Sequence, residues 1–316
     1  METVSRQDKL YTRHSETTDT LAAMNDGSRI IDKMDGDKAK FCRNGLQVNV
    51  IDYDKIKAKV NINVHKLLSY GIVLFTRRYG KRTNNKYDVS FLLDDYIELT
   101  GGTIPDDPEQ RRRKRHEMQK RIKSELQLLQ AIQIVNDQDK IYQSLSPVSF
   151  TRIKNGVVTI EFSQRFAEYL LNQNLTVIPA PLFRIAAWSR SAYAMGIKIS
   201  EYYYLNRFKK QACRLKVKNL LKVTDLPDYE TVLKNGKSWK ERIKLPFEKA
   251  MNELVIVGVL ESWRYEDNKT TERFYIFQDT LIIFNLANQF MENPGGESFG
   301  GGGESFGGGG ESFGGG

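Results

Sequence analysis

Lys237, Lys240, Arg242, Lys244 and Lys249 crowd one short stretch of the sequence. Cations packed this closely suit contact with the phosphates of an anionic polymer, and an arginine among them can read a guanine edge through two parallel hydrogen bonds. A second group, Arg111, Arg112, Arg113, Arg115, Lys120 and Lys123, lies far upstream. Its unbroken run, Arg111-Arg-Arg-Lys-Arg115, fits a nuclear localisation signal or a salt-bridged surface as well as a polyanion contact. Catalytic spacings are missing. His14, His65 and His116 are far apart, with no His-x-His or His-Glu-x-x-His, and no Gly-x-Ser-x-Gly elbow occurs. Cys42 and Cys213 make neither a disulfide framework nor a cysteine zinc site. Gly236-Lys-Ser238 ends like a phosphate-binding loop, but the first glycine of that motif would fall at Thr231. Asp94 and Asp95 are neighbours on a helix, so they point apart and read as a solvated face. The expectation is a binding protein and not an enzyme, with no metal and no cofactor.

The elements that carry the cations have a definite order. Leu215 to Val223 is amphipathic, Thr224-Asp-Leu-Pro227 is a turn, and a basic helix follows from Lys234 to Leu254. In it Trp239, Ile243, Phe247 and Met251 recur every four residues as a core stripe. Two strand-like runs, Val257 to Tyr265 and Glu272 to Phe277, then flank the polar turn 266–271, which carries Lys269. Helix, turn, basic helix and hairpin is the order of a winged helix-turn-helix, whose second helix enters the DNA major groove. The same order occurs earlier. Lys66 to Gly80 and Asp88 to Leu99 read as helices, and a third, basic helix starts after Pro108, with Asp106, Asp107 and Glu109 favouring its N-terminus. Ser149 to Ile153 and Val157 to Phe162 flank Asn155-Gly156, a strong hairpin signal, and place Arg152 and Lys154 on the hairpin. Val60 to Val64 alternates like a strand, and Gln164 to Leu171 reads as a helix. After Pro179-Ala-Pro181, helical spacing runs from Leu182 to about Lys210, with Trp188 at an apolar position and Gly196 as a bend or break. Tyr202-Tyr-Tyr204 reads as core packing with an exposed edge.

The expected fold class is therefore α+β: two tandem winged helix-turn-helix domains with a disordered N-terminal arm and a Gly-rich C-terminal tail. The divisions are 1–47 (arm), 48–176 (first domain), 177–293 (second domain) and 294–316 (tail). The tail holds 13 of the 24 glycines and repeats Glu-Ser-Phe three times, so it builds no core and reads as a flexible linker. With a formal charge of +9 overall and three glutamates in the tail, residues 1–293 hold +12, which favours an anionic partner. No apolar run approaches the roughly 18 residues of a membrane span, and Met1-Glu-Thr-Val-Ser lacks a signal-peptide layout. A cytoplasmic protein without membrane contact is expected.

Two basic winged-helix units behind an arm resemble the iteron-type plasmid replication initiators. The second unit carries most of this. Leu182 to Phe208 looks like the family's long lead helix and Leu215 to Leu221 like its helix before the turn. Lys240-Glu-Arg-Ile-Lys-Leu-Pro-Phe-Glu-Lys-Ala-Met-Asn-Glu-Leu254 resembles its recognition-helix pattern, with Pro246 at a helix start or kink. The resemblance implies a double-stranded DNA partner, direct repeats at a replication origin, local duplex opening, and recruitment of the host initiator and replicative helicase. It also implies that the second unit gives the main base readout, while the first adds DNA contacts and supports a homodimer. Arg242 is the expected guanine reader, since arginine is the commonest specific one. A winged-helix transcriptional regulator and a tandem winged-helix protein-interaction scaffold are the alternatives.

Overall fold

The computed structural model describes residues 9–13, 31–35, 38–43, 46–50, 62–79, 87–136, 143–172, 175–209, 212–266 and 273–287. Lys269, Ile141, Tyr142 and the Gly-rich tail lie outside these residues.

Helix α1 (Ile62–Tyr79) is long and almost wholly buried, with Leu67, Leu68, Ile72 and Phe75 at 0% exposure. It takes in Ile62 to Val64, which the alternating pattern assigned to a strand; there, Ile62 and Val64 join the helix's buried face. Next comes β5 (Asp88–Leu92), the part of the expected second helix that is in fact extended. Val89 and Phe91 are buried between exposed Ser90 and Leu92, a period of two that pairs with β9 (Val157–Phe162) from Asp88↔Glu161 to Leu92↔Val157. Only Leu93–Leu99 is helical (α2), followed by the basic helix α3 (Pro108–Ala131). Asp107 caps α3 by accepting from the Gln110 amide at 2.7 Å. β8 (Val148–Lys154) and β9 form the expected hairpin, and Asn155 (φ 52°) and Gly156 (φ 74°) both take the left-handed conformation that its two-residue turn requires. Helix α4 spans Gln164–Leu171, capped by Ser163.

The second unit repeats this plan. A 3-10 turn (Ala180–Arg184) precedes α5 (Arg190–Asn206), so the expected long helix from Leu182 is two elements. Pro179 and Pro181, which cannot donate into a helix ladder, set the first of them. Gly196 does not break α5, which runs through it. Trp188, read as core, stands 84% exposed ahead of the helix, where no neighbouring element covers it among the described residues. Then come β11 (Arg214–Lys216), α6 (Val217–Leu221), α7 (Tyr229–Lys234), and a π turn (Lys240–Lys244) that runs on into α8 (Leu245–Ile256). The wing is β12 (Leu260–Tyr265) paired with β13 (Leu281–Leu286). Glu272 to Phe277, expected as the second wing strand, is instead mostly α9 (Phe274–Asp279). Its aromatic composition suggests a strand, but Phe274 and Phe277 are three apart. Phe274 stacks on Tyr229 at 4.3 Å, and Phe277 is 1% exposed against Trp239 and Phe247. Burying such a ring contributes about 1.5–3 kcal/mol, which outweighs a weak strand preference.

The two sheets have the same antiparallel order, β5-β9-β8 and β11-β13-β12. The described residues of the expected arm are strands. β1 (Lys9–Arg13) pairs antiparallel with β10 (Leu175–Pro179), with Leu10 and Thr12 buried, and the ribbon packs on both α1 and α5. β2 (Ile31–Asp35), β3 (Lys38–Arg43) and β4 (Leu46–Val50), which precede α1, join β6 (Ile132–Asn136) and β7 (Gln143–Leu145), which lie between α3 and β8, in a five-stranded sheet. β2–β3 and β3–β4 are local pairings, but β1 and β4 find their other partners, β10 and β6, far along the chain, where no local pattern in the arm reveals them.

Candidate nucleic-acid interface

In the second unit the backbone ahead of the basic helix is set by a helix stop. Helix α7 ends with Asn235 as its cap and Gly236 at φ 61°; the Gly236 amide donates to Leu233 and the Lys237 amide to Val232. This paired closure needs a left-handed residue, which explains Gly236. Gly236-Lys-Ser238 is thus a helix terminator and not a phosphate-binding loop, and Lys237 is exposed in the link to the next helix.

That helix turns once in π register because of Pro246. A proline has no N–H, and its ring would collide with the Arg242 carbonyl in an α ladder. The Leu245 amide instead reaches five residues back to Lys240, and the helix continues without a break. Ile243, Phe247, Met251 and Leu254 are buried, while Arg242, Leu245, Lys249 and Asn252 are exposed on the opposite side. Trp239 is half-buried against Phe274 and Phe277, so the expected core stripe holds from its first member. Lys240 is exposed at the helix head. Lys244 is half-buried on a flank, 3.8 Å from Glu248. Wing strand β12 is tied to this helix twice: the Trp263 indole N–H donates to Asn252 Oδ1 at 2.8 Å and the Tyr265 hydroxyl to Glu248 Oε1 at 3.1 Å. Helix face and wing are therefore held as one surface.

In the first unit, α3 buries Ile122, Leu126 and Leu129 and exposes Arg112, Arg113, His116, Lys120 and Lys123. The remaining two expected cations have structural partners. Arg111 Nε donates to the Pro105 carbonyl at 2.9 Å, and Arg115 forms a two-pronged pair with Asp94, Nε to Oδ1 at 2.7 Å. Asp94 is thus an ion-pair partner and not a solvated carboxylate, and its hydrogen bond holds the Arg115 pKa above its ordinary value. A cleft of about 660 Å3 lies between the head of α3, the start of α2 and the hairpin turn, lined by Arg112, His116 and Asn155 over the Arg115–Asp94 pair. Arg152 and Lys154 are exposed on β8. Arg112→Ala should therefore weaken binding to duplex DNA in a gel shift without changing the melting temperature. Arg115→Ala should cost up to about 1 kcal/mol of stability, the worth of a partly exposed pair. Equal effects of both on binding would show that Arg115 also faces the ligand.

Leu245, Asn252 and His116 share these faces and were not picked out by residue type. The phase of the core stripe was the available signal: residues opposite Ile243, Phe247 and Met251 on a helix are its solvent face whatever their chemistry. Among the described residues, no group of three or more His, Cys, Asp and Glu side chains is placed to hold a metal ion, and no helix is long and apolar enough to cross a membrane.

No protein-family model and no curated protein matches the sequence. Solved structures do match. The Pi initiator protein, in a crystal structure with iteron DNA, is similar at a TM-score of 0.51 and 12% identity, over 88% of this chain and 96% of that one. Domains 2 and 3 of RctB align at a TM-score of 0.42 and 11% identity, over 85% of this chain and 98% of that one. At such identity the likeness to the Pi initiator is one of fold, and the chain has that tandem winged-helix fold.

Proposed function

We propose that this protein is a replication initiator that binds direct repeats of double-stranded DNA at a plasmid origin, helps to open the duplex and recruits host replication proteins. The observation that carries the reading is the second unit's basic helix, with Arg242 and Lys249 exposed on the face opposite its core and a wing strand fastened alongside. A face of this kind enters the major groove while the flanking cations hold the backbone. The Pi initiator, which shares the fold, is in complex with iteron DNA in its crystal structure. The first unit's face, Arg112, Arg113, Lys120 and Lys123, supplies further phosphate contacts and leaves its other surfaces for a homodimer. The protein works by binding, in the cytoplasm, with no catalytic step of its own.

Arg242→Ala is expected to cost about 1–3 kcal/mol on a selected duplex and to relax the preference at one base pair, read by fluorescence anisotropy. Equal loss on selected and random duplexes would make Arg242 a phosphate contact. Affinity should fall steeply with salt, by nearly one power of the salt concentration per phosphate contact. A salt-insensitive complex would sink the electrostatic reading. Direct repeats spaced by about two helical turns beside the coding sequence, together with loss of plasmid maintenance in Arg242→Ala, would separate initiation from transcriptional control.

A further inference from the structure

Leu245 does not fit a purely electrostatic face. It is 57% exposed, on the same side of the helix as Arg242 three residues before it and Lys249 four residues after it. No buried residue needs it there: Ile243, Phe247 and Met251 fill the core side. Arg242 lies in the π turn and Leu245 opens the α-helical stretch, so the two stand less than one turn apart, a few ångströms along the axis, comparable with the roughly 3.4 Å between base pairs. With Arg242 on a base edge, Leu245 is therefore placed to reach an adjacent base pair. Both partners of that contact are limited by chemistry. A leucine offers no hydrogen bond, and in the major groove the apolar group on a base edge is the 5-methyl of thymine. The anchored wing adds rigidity, because Asn252, one turn beyond Lys249 on this face, is held by Trp263.

Building on the reading of the second unit as the duplex reader, we propose that Leu245 is a specificity-determining residue that packs against a thymine methyl group next to the base pair faced by Arg242. The contact desolvates the leucine and the methyl together, and it penalises cytosine, whose amino group at the neighbouring position would lose water to an apolar side chain.

Thymine and uracil differ by that methyl alone, which makes the test direct. Duplexes are first selected from a random pool with the full-length protein. Each thymine of the selected site is then replaced in turn by deoxyuridine, and affinities are measured for wild type, Leu245→Ala and the volume-conserving Leu245→Met. The expected result is one thymine whose replacement weakens wild type and Leu245→Met by about fourfold, the worth of one buried methyl. Leu245→Ala should be indifferent to that replacement. Indifference of wild type to every replacement would overturn the proposal, as would Leu245→Ala keeping the full preference. A pool from which no sequence is enriched would remove base reading by the second unit itself, and the thymine contact with it.

Discussion

Gly196→Ala is expected to destabilise the protein by about 2 kcal/mol and to lower affinity for duplex DNA. A methyl group at this position would lie 2.3 Å from Leu182 Cδ2 and 2.8 Å from Leu254 Cδ2. Both leucines are 0% exposed, so neither has room to swing away. Two effects oppose each other. Alanine is the better helix former by about 1 kcal/mol, while forcing a methyl into a packed core costs about 1–3 kcal/mol, and the double collision puts the cost at the upper end. Leu254 belongs to α8, the helix that exposes Arg242, Leu245 and Lys249, so relief of the clash shifts that face, with the wing fastened to it, relative to α5. Denaturant melts and binding measured on the same preparations read the two losses. Leu254→Ala in the Gly196→Ala background should recover part of the stability by coupling. Wild-type melting of Gly196→Ala would show that the two helices are not seated closely at this point.

Where one local rule dominates, the sequence is transparent. Asn155-Gly156 announces its turn because two successive left-handed residues are rarely tolerated by other types, and the turn is there. The stripe Ile243, Phe247 and Met251 announces the buried side of the basic helix, and with it the exposed side. The second wing strand was not readable in the same way. Glu272 to Phe277 has a strand's composition but a helix's spacing, and packing against Tyr229, Trp239 and Phe247 decides it. The same holds for β1, whose partner Leu175–Pro179 lies more than half the chain away. In the first unit, residue type alone could not tell the cations that face solvent from those already engaged: Arg111 and Arg112 are neighbours, yet one is bound to Pro105 and the other is exposed. The least readable feature of all is polar. His65 and Tyr193 lie 2.7 Å apart in a buried hydrogen bond although they belong to different units, and each resembles an ordinary member of an amphipathic helix in sequence.

That buried contact belongs to a seam whose charges should make stability lowest between about pH 6 and 8. Lys66, 2% exposed on α1, donates to the Ile185 carbonyl across the seam. Burial, with Arg121 nearby, pushes its pKa down to about 8 although Glu125 and Glu253 act to raise it. Glu125, 4% exposed on α3, is pushed up to about 6 by burial, against the opposing pull of Arg121 and Lys66. Arg121 Nε is 3.2 Å from Glu125 Oε1, close enough for an ion pair but outside hydrogen-bonding geometry. The raised carboxyl contributes stability below about pH 4.5 that is lost as pH rises through 6. The lowered amine contributes stability above about pH 10.5 that is lost as pH falls through 8. Between those values both groups are charged and buried, at about 2 kcal/mol for Glu125 and about 3 kcal/mol for Lys66 at 1.36 kcal/mol per pKa unit. Glu125→Leu should then cost about 3 kcal/mol at pH 7, because it leaves Lys66 facing Arg121 with no carboxylate between them. Lys66→Met and Arg121→Met combined with Glu125→Leu should recover that loss and flatten the profile, since a buried charge cluster replaced as a whole by apolar side chains is often without penalty, whereas removing one member alone is not. Denaturant melts of the three proteins from pH 4.5 to pH 9 read the difference. A wild-type curve parallel to that of the triple variant would show that the seam is hydrated or opens in solution.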